Sequence, residues 1–171
     1  MSNRVSGIII KTSYDKVGDT SSIQLFGKTM LQWVSLAIQG TVATVSYNEN
    51  LSVPLNIRPY LDPESEYTVV LYSDTPLITA KTVAQAVKEA VDTGANVIKM
   101  TRGFVFKTEF VQRVDKIYSV ETHYYEEEDF ITALSFKQIA MISEIMRTRI
   151  LSYHMRNGVM IEDPASTFVG S

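Results

Sequence analysis

Thr68-Val69-Val70-Leu71-Tyr72 constrains the fold more than any other stretch of this chain. A strand with one face in water alternates apolar and polar residues, and this run does not, so it reads as a strand covered on both faces, at the centre of a parallel sheet. It delivers the chain to Ser73-Asp74-Thr75-Pro76, and Thr79 follows as the cap of a helix carrying Val83, Val87 and Val91 with Ala84 and Ala90 as its apolar stripe, closed by Gly94. A βα unit of this kind needs further parallel strands beside it. Val5-Ser6-Gly7-Ile8-Ile9-Ile10 supplies a second buried strand and Thr41 to Tyr47 a third. Thr29 caps a helix whose Met30, Leu31, Val34, Ala37 and Ile38 share a face, with Gly40 as its stop. Asn96 to Met100, Gly103 to Phe106 and Lys116 to Val120 read as strands, and Thr108 to Val114 as a short helix. A last helix spans about Ser135 to Arg156 and stops at Asn157-Gly158. Lys11 to Ser22 and Asn56 to Glu66 read as loops. Strands alternating with helices make a three-layer α/β sandwich.

Several function classes are excluded by charge and composition. Lys+Arg 16 against Asp+Glu 19 leaves a net charge of -3, without the clustered cationic surplus that phosphate-backbone binding needs, so no nucleic-acid partner is expected. Zero cysteines removes disulfides, thiolate metal sites and cysteine nucleophiles, and fits a reducing, cytoplasmic setting. No run approaches the roughly 20 apolar residues of a membrane helix, and Met1-Ser2-Asn3-Arg4 lacks the apolar core of a signal peptide. No membrane partner is expected.

Two places could carry chemistry. Ligands of open α/β sheets bind outside the carboxyl ends of the strands, so Asp74 either offers a hard oxygen to a metal-bound phosphate or merely starts a turn before Pro76. Lys11-Thr12-Ser13-Tyr14-Asp15-Lys16-Val17-Gly18 follows the first strand, where a phosphate cradle would sit, but its single glycine suits an ordinary loop better. His123-Tyr124-Tyr125-Glu126-Glu127-Glu128-Asp129 reads as a solvated acidic run in preference to a metal site. His154, Arg147, Arg149 and Arg156 complement the dipole at the end of the last helix. No serine sits in a nucleophile-elbow motif.

Taken in order, three stretches carry a family likeness: Leu25-Phe26-Gly27-Lys28-Thr29-Met30-Leu31-Gln32-Trp33-Val34, Val70-Leu71-Tyr72-Ser73-Asp74-Thr75-Pro76-Leu77-Ile78, and Arg156-Asn157-Gly158-Val159-Met160-Ile161-Glu162-Asp163-Pro164. They resemble the pyrophosphorylase domain of bifunctional N-acetylglucosamine-1-phosphate uridyltransferases, in the sugar nucleotidyltransferase family. The resemblance implies a shortened Rossmann-like nucleotidyltransferase fold of the GT-A-like kind over residues 1–157, with 158–171 as a linker leading toward a β-helix. It also implies nucleotide and sugar-phosphate ligands and magnesium as cofactor. Asp74 matches the metal-binding position, Thr12, Ser13 and Lys16 fall in the nucleotide-binding stretch, and Gly103 matches the last residue of the sugar-binding motif.

Most of the family's equipment is replaced. Ile10 to Val17 stands where the family has Leu-Ala-Ala-Gly-x-Gly-Thr-Arg, Asp19-Thr20 where it has Pro-Lys, and Lys99-Met100-Thr101-Arg102-Gly103 where it has Glu-x-Asn-Thr-Gly. The second metal motif, Gly-Val-Asn-x-Arg, corresponds to Thr132 to Phe136 and lacks its asparagine. The sequence therefore points to a pseudoenzyme kept for binding or assembly, through loops 11–22 and 56–66, with a nucleotide, a protein partner or a second copy. The alternative is an active magnesium-dependent nucleotidyltransferase of altered specificity, with Lys11, Lys16 or Arg102 in place of the missing cations. Either could be one part of a longer protein.

Overall fold

A computed structural model describes residues 4–118, 120–123 and 125–156. Its main sheet has five strands: β1 (Val5–Lys11), β6 (Val42–Ser46), β7 (Tyr67–Tyr72), β8 (Val97–Lys99) and β9 (Phe104–Lys107), in the spatial order β6-β1-β7-β9-β8. Two short hairpins lie outside it, β2 (Ser13–Tyr14) with β3 (Gly18–Asp19) and β4 (Gln24–Leu25) with β5 (Lys28–Thr29). β7 is central, as its unbroken apolar run requires. It runs parallel to β1 and antiparallel to β9, so the sheet is mixed, with the parallel half formed by β6, β1 and β7.

Alternation within the strands explains the three layers. Ile9, Val69 and Leu71 point to one face, where Val34 of α1 (Met30–Ser35) and Val83, Ala86 and Ala90 of α3 (Ala80–Thr93) cover them. Ile8, Ile10, Val70 and Tyr72 point to the other, under Ile57 of α2 (Val53–Ile57) and Val111 of α4 (Thr108–Arg113). α5 (Phe136–Arg156) adds a third cluster, setting Ile142, Met146 and Ile150 on Leu25, Met30 and Leu77. The resulting three-layer α/β sandwich is the expected architecture. Gly7 is fixed by packing, because a Cβ there would stand 2.6 Å from Ile38 Cδ1. The structure contains no helix, among its described residues, that is long and apolar enough to cross a membrane.

Several local expectations need correction. The segment 11–22 is not a plain loop: it folds into the β2–β3 hairpin and a 3-10 turn, Thr20–Ser22, capped by the Asp19 side chain. The segment 56–66 begins inside α2, where the buried Asn56 amide bonds the carbonyls of Asn48, Leu51 and Ser52 and so closes the preceding turn. Thr12, Thr20, Ser21, Asn56, Ile57 and Ser65 anchor the two segments to the core, while most of their other residues are exposed or half-buried. α1 carries the capping box of Thr29 and Gln32 but ends at Ser35, and Ala37 and Ile38 reach the core from the turn beyond. In α3 the expected stripe holds at Val83, Val87 and Ala90, joined by Thr82 and Ala86, whereas Ala84 and Val91 are exposed. Lys116 to Val120 makes no strand among the described residues, and a single bridge, Lys99 to Thr122, ties this region to the sheet edge. The expected helix stop at Asn157-Gly158 and the linker 158–171 lie outside the described residues.

Candidate functional site

Asp74 follows the carboxyl end of β7, in the turn after Tyr72, and is wholly buried. A buried carboxylate costs several kcal/mol unless it is paired and hydrogen-bonded, so its partners define the site. Four donors from three residues converge on it. Arg102 lies between β8 and β9 and is bidentate, donating from Nε to Asp74 Oδ1 at 3.2 Å and from Nη2 to Oδ2 at 2.7 Å. Thr12 Oγ1 donates to Oδ2 at 2.9 Å and the Tyr14 hydroxyl donates to the same oxygen at 2.5 Å. Arg102 also stacks its guanidinium 3.8 Å from the centre of the Tyr72 ring and donates from Nη2 to the Tyr14 oxygen at 3.1 Å.

Behind this shell lies a buried hydroxyl network. Thr20 Oγ1 contacts Ser73 Oγ at 2.7 Å and Thr12 Oγ1 at 3.0 Å, and the Thr12 amide donates to Ser73 Oγ at 3.1 Å. These bonds seat the β2–β3 hairpin on the end of β7. Thr20, at the position that corresponds to the family's phosphate-binding lysine, is fully buried and serves the scaffold.

The titration behaviour follows from this geometry. Burial, then the hydrogen bond and charge of Asp74, push the Tyr14 phenol up to about 12. For Arg102 burial opposes the charge, but the hydrogen bonds and charge of Asp74 more than offset it, so the guanidinium is held ionised more firmly than usual. Tyr72 is raised by burial and lowered by Arg102.

The expected site residues are dispersed by this arrangement. Thr12 points inward to Asp74, whereas Ser13 and Lys16 are exposed on the hairpin. Gly103 has a positive φ of 123°, and a Cβ there would sit 2.7 Å from the Val70 carbonyl, so backbone crossing alone demands glycine. Lys11, Thr12 and Ser13 line a polar crevice of about 590 Å³ with Ser46, Tyr47 and Asn48 at the ends of β1 and β6. An apolar groove between α1 and α5, lined by Trp33, Leu77 and Ile150, shares no residue with Asp74's shell.

Solved structures similar to this chain place the fold. A CMP:2-keto-3-deoxy-manno-octonic acid synthetase complexed with CTP matches at a TM-score of 0.67 and 10% identity, covering 85% of this chain and 99% of that one. Molybdopterin-guanine dinucleotide biosynthesis protein A from Archaeoglobus fulgidus matches at 0.61 and 11% identity over 84% and 99%. A cytidylyltransferase from Leptospira borgpetersenii matches at 0.61 and 11% identity over 95% and 100%. The fold is that of the nucleotidyltransferases. No family model matches the chain, and no curated protein matches it significantly.

Within that fold the residues around Asp74 do not fit magnesium. A hard divalent cation needs several oxygen ligands, and usually more than one carboxylate, in an open sphere. Both Asp74 oxygens are taken up by Arg102, Thr12 and Tyr14, and among the described residues no group of three or more His, Asp or Glu is arranged to hold a metal.

Asp129 is a residue the sequence reading missed. It was placed in a solvated acidic run, yet it is buried and accepts at Oδ2 from the hydroxyls of Thr79 and Thr82 at 2.7 and 2.6 Å, while Arg149 donates to Oδ1 at 3.1 Å. It clasps the start of α3 to α5. Arg149 thereby serves a tertiary pair as well as the helix dipole, and also reaches Glu128 and the Leu77 carbonyl. His123 pairs with Glu89 at 2.5 Å, and the Tyr125 hydroxyl donates to the same carboxylate. Only Thr79 as a cap was visible beforehand, because the partners of Asp129 are 47 and 50 positions away.

Two outcomes follow. Asp74→Ala leaves Arg102 without its carboxylate and lowers the unfolding free energy by about 3–5 kcal/mol, whereas Asp74→Leu combined with Arg102→Met recovers most of that loss, both read by urea denaturation. The Tyr14 contribution is fully present below the unfolded phenol value of 10.0 and is lost as pH rises through about 12. Tyr14→Phe therefore flattens the alkaline fall of the denaturation midpoint across that window, with Tyr67, Tyr72 and Tyr125, whose phenols are also raised, contributing to what remains.

Proposed function

We propose that this chain is a nucleotidyltransferase-fold pseudoenzyme, a binding or assembly module that does not catalyse magnesium-dependent nucleotidyl transfer. The observation that carries this reading is the Arg102 guanidinium, bidentate on Asp74 at the carboxyl end of the central strand. Phosphoryl-group transfer of this kind depends on positioning and on charge neutralisation by metal and cations. Here the candidate metal carboxylate is neutralised internally, and each lost electrostatic group of such a site typically costs about 3–4 kcal/mol of barrier lowering.

The motif segments around Gly27 and Asp74 support descent from a sugar-nucleotide pyrophosphorylase of the N-acetylglucosamine-1-phosphate uridyltransferase kind, acting on a sugar phosphate. The replaced residues support loss of turnover: Tyr14, in the stretch that corresponds to the family's glycine-rich loop, commits its hydroxyl to Asp74, and Thr20 supplies a buried hydroxyl in place of a cation. A cytoplasmic setting suits the absence of cysteine. Purified protein incubated with CTP, GTP or UTP, magnesium and N-acetylglucosamine 1-phosphate releases no pyrophosphate above the blank. Steady release that disappears in Asp74→Asn contradicts the reading and supports an active enzyme with altered specificity.

A further inference from the structure

The groove between α1 and α5 lies apart from Asp74 and has a volume of about 590 Å³. Its floor is the buried set of Leu77, Met146 and Ile150, with Trp33 and Leu36 rising from the α1 side and Tyr153 from α5. Leu36 is 58% exposed and Tyr153 57%, so large apolar side chains stand above a floor that is already packed. An exposed apolar concavity of this size is the usual form of an interaction site. The groove's charged or titratable members are Lys28, 4.9 Å from the centre of the Trp33 ring, His154 and Arg149, which is committed to Glu128 and Asp129. Among the described residues no carboxylate lines it, although the chain as a whole carries a net charge of -3. Charge complementarity therefore selects an occupant that is apolar with acidic residues beside its apolar ones.

The sequence carries such a segment at the groove's own rim. α5 ends at Arg156, less than one helical turn beyond Tyr153. Positions 157–163 lie outside the described residues and read Asn157-Gly158-Val159-Met160-Ile161-Glu162-Asp163. Asn-Gly is a pattern that stops a helix, because glycine adopts the left-handed conformation that turns the chain away. Three consecutive apolar residues then precede two acids. The lengths agree. Six residues of α5 from Ile150 to Arg156 rise roughly 9 Å at 1.5 Å each, and three extended residues from Gly158 to Ile161 span about 10 Å. A chain that reverses at Gly158 and runs back along α5 brings Ile161 level with Ile150 and carries the two acids on among the basic residues of the groove.

We propose that the groove between α1 and α5 is the docking site of this chain's own segment Val159-Met160-Ile161-Glu162-Asp163, with the three apolar residues against Trp33, Leu36 and Ile150 and the two acids beside Lys28 and His154. Tethering favours this occupant over a second copy: a segment joined to the groove's wall through two residues is present at an effective concentration on the order of millimolar. The state of Asp74 has no bearing on the docking, so failure here leaves the pseudoenzyme reading untouched.

Zero cysteines and a single tryptophan, Trp33 in the groove wall, make the 171-residue chain its own reporter. With Leu36→Cys and Ile161→Cys introduced together, mild oxidation forms an intramolecular disulfide in the monomer at a rate independent of protein concentration. That rate is about tenfold or more above the rate for Glu109→Cys with Ile161→Cys, whose first cysteine lies on α4, across the sheet. Leu36 is exposed, so its replacement leaves the core intact. Val159→Ser, Met160→Ser and Ile161→Ser combined shift the Trp33 emission to the red and raise the alkylation rate of a lone Leu36→Cys thiol about tenfold, with circular dichroism unchanged. Disulfide-linked dimers in place of the intramolecular bond assign the groove to a second copy, equal cross-linking to α4 shows a segment without a seat, and unchanged emission and alkylation in the triple variant show a groove that the segment does not cover. Each of these results overturns the proposal.

Discussion

A carboxylate sealed at the end of the central strand and a guanidinium drawn onto it set the character of this molecule. Asp74 can be fully buried only because Arg102, Thr12 and Tyr14 supply donors to both of its oxygens. Those donors come from two separate parts of the chain: the segment after β1 brings Thr12 and Tyr14, and the turn between β8 and β9 brings Arg102. The pair therefore joins the first strand's loop to the far edge of the sheet. Buried ion pairs contribute little net stability compared with a well-packed apolar replacement, but removal of one partner is costly, so such a pair resists loss by single substitutions.

The scaffold beneath this pair rests on ordinary hydrophobic layering. β1 and β7 alternate their residues between two covered faces, and the helices on each face bury matching stripes. α5 lies on Leu25, Met30 and Leu77 and is tied to the start of α3 through Arg149 and Asp129. The result is an α/β sandwich of nucleotidyltransferase type in which a second buried carboxylate, Asp129, performs a purely architectural task beside the first.

Where periodicity or local chemistry specified an element, the sequence disclosed it. The continuous run at 68–72, the caps at Thr29 and Thr79 and the stop at Gly94 each rest on neighbours within a few positions, and the structure has all of them. The hairpin at 13–19 was hidden because its seat is tertiary: Thr12 and Thr20 are held by Ser73 and Asp74, more than 50 positions away. Asp74 was legible as the important acid. What occupies it was not, because the sequence places Arg102 28 positions further on, with no local pattern linking the two. Arg102 entered only as one of several cations available to a phosphate, and its grip on the carboxylate needed three dimensions to be seen.

The central claim is that Asp74 is occupied from within and offers no coordination site. Electron paramagnetic resonance of manganese titrated into the purified wild-type chain reads this most directly, because bound and free ions give different signals. The account predicts that the free-ion signal rises in proportion to added metal, as it does in Asp74→Asn. Saturable manganese binding by the wild type that vanishes in Asp74→Asn would contradict it.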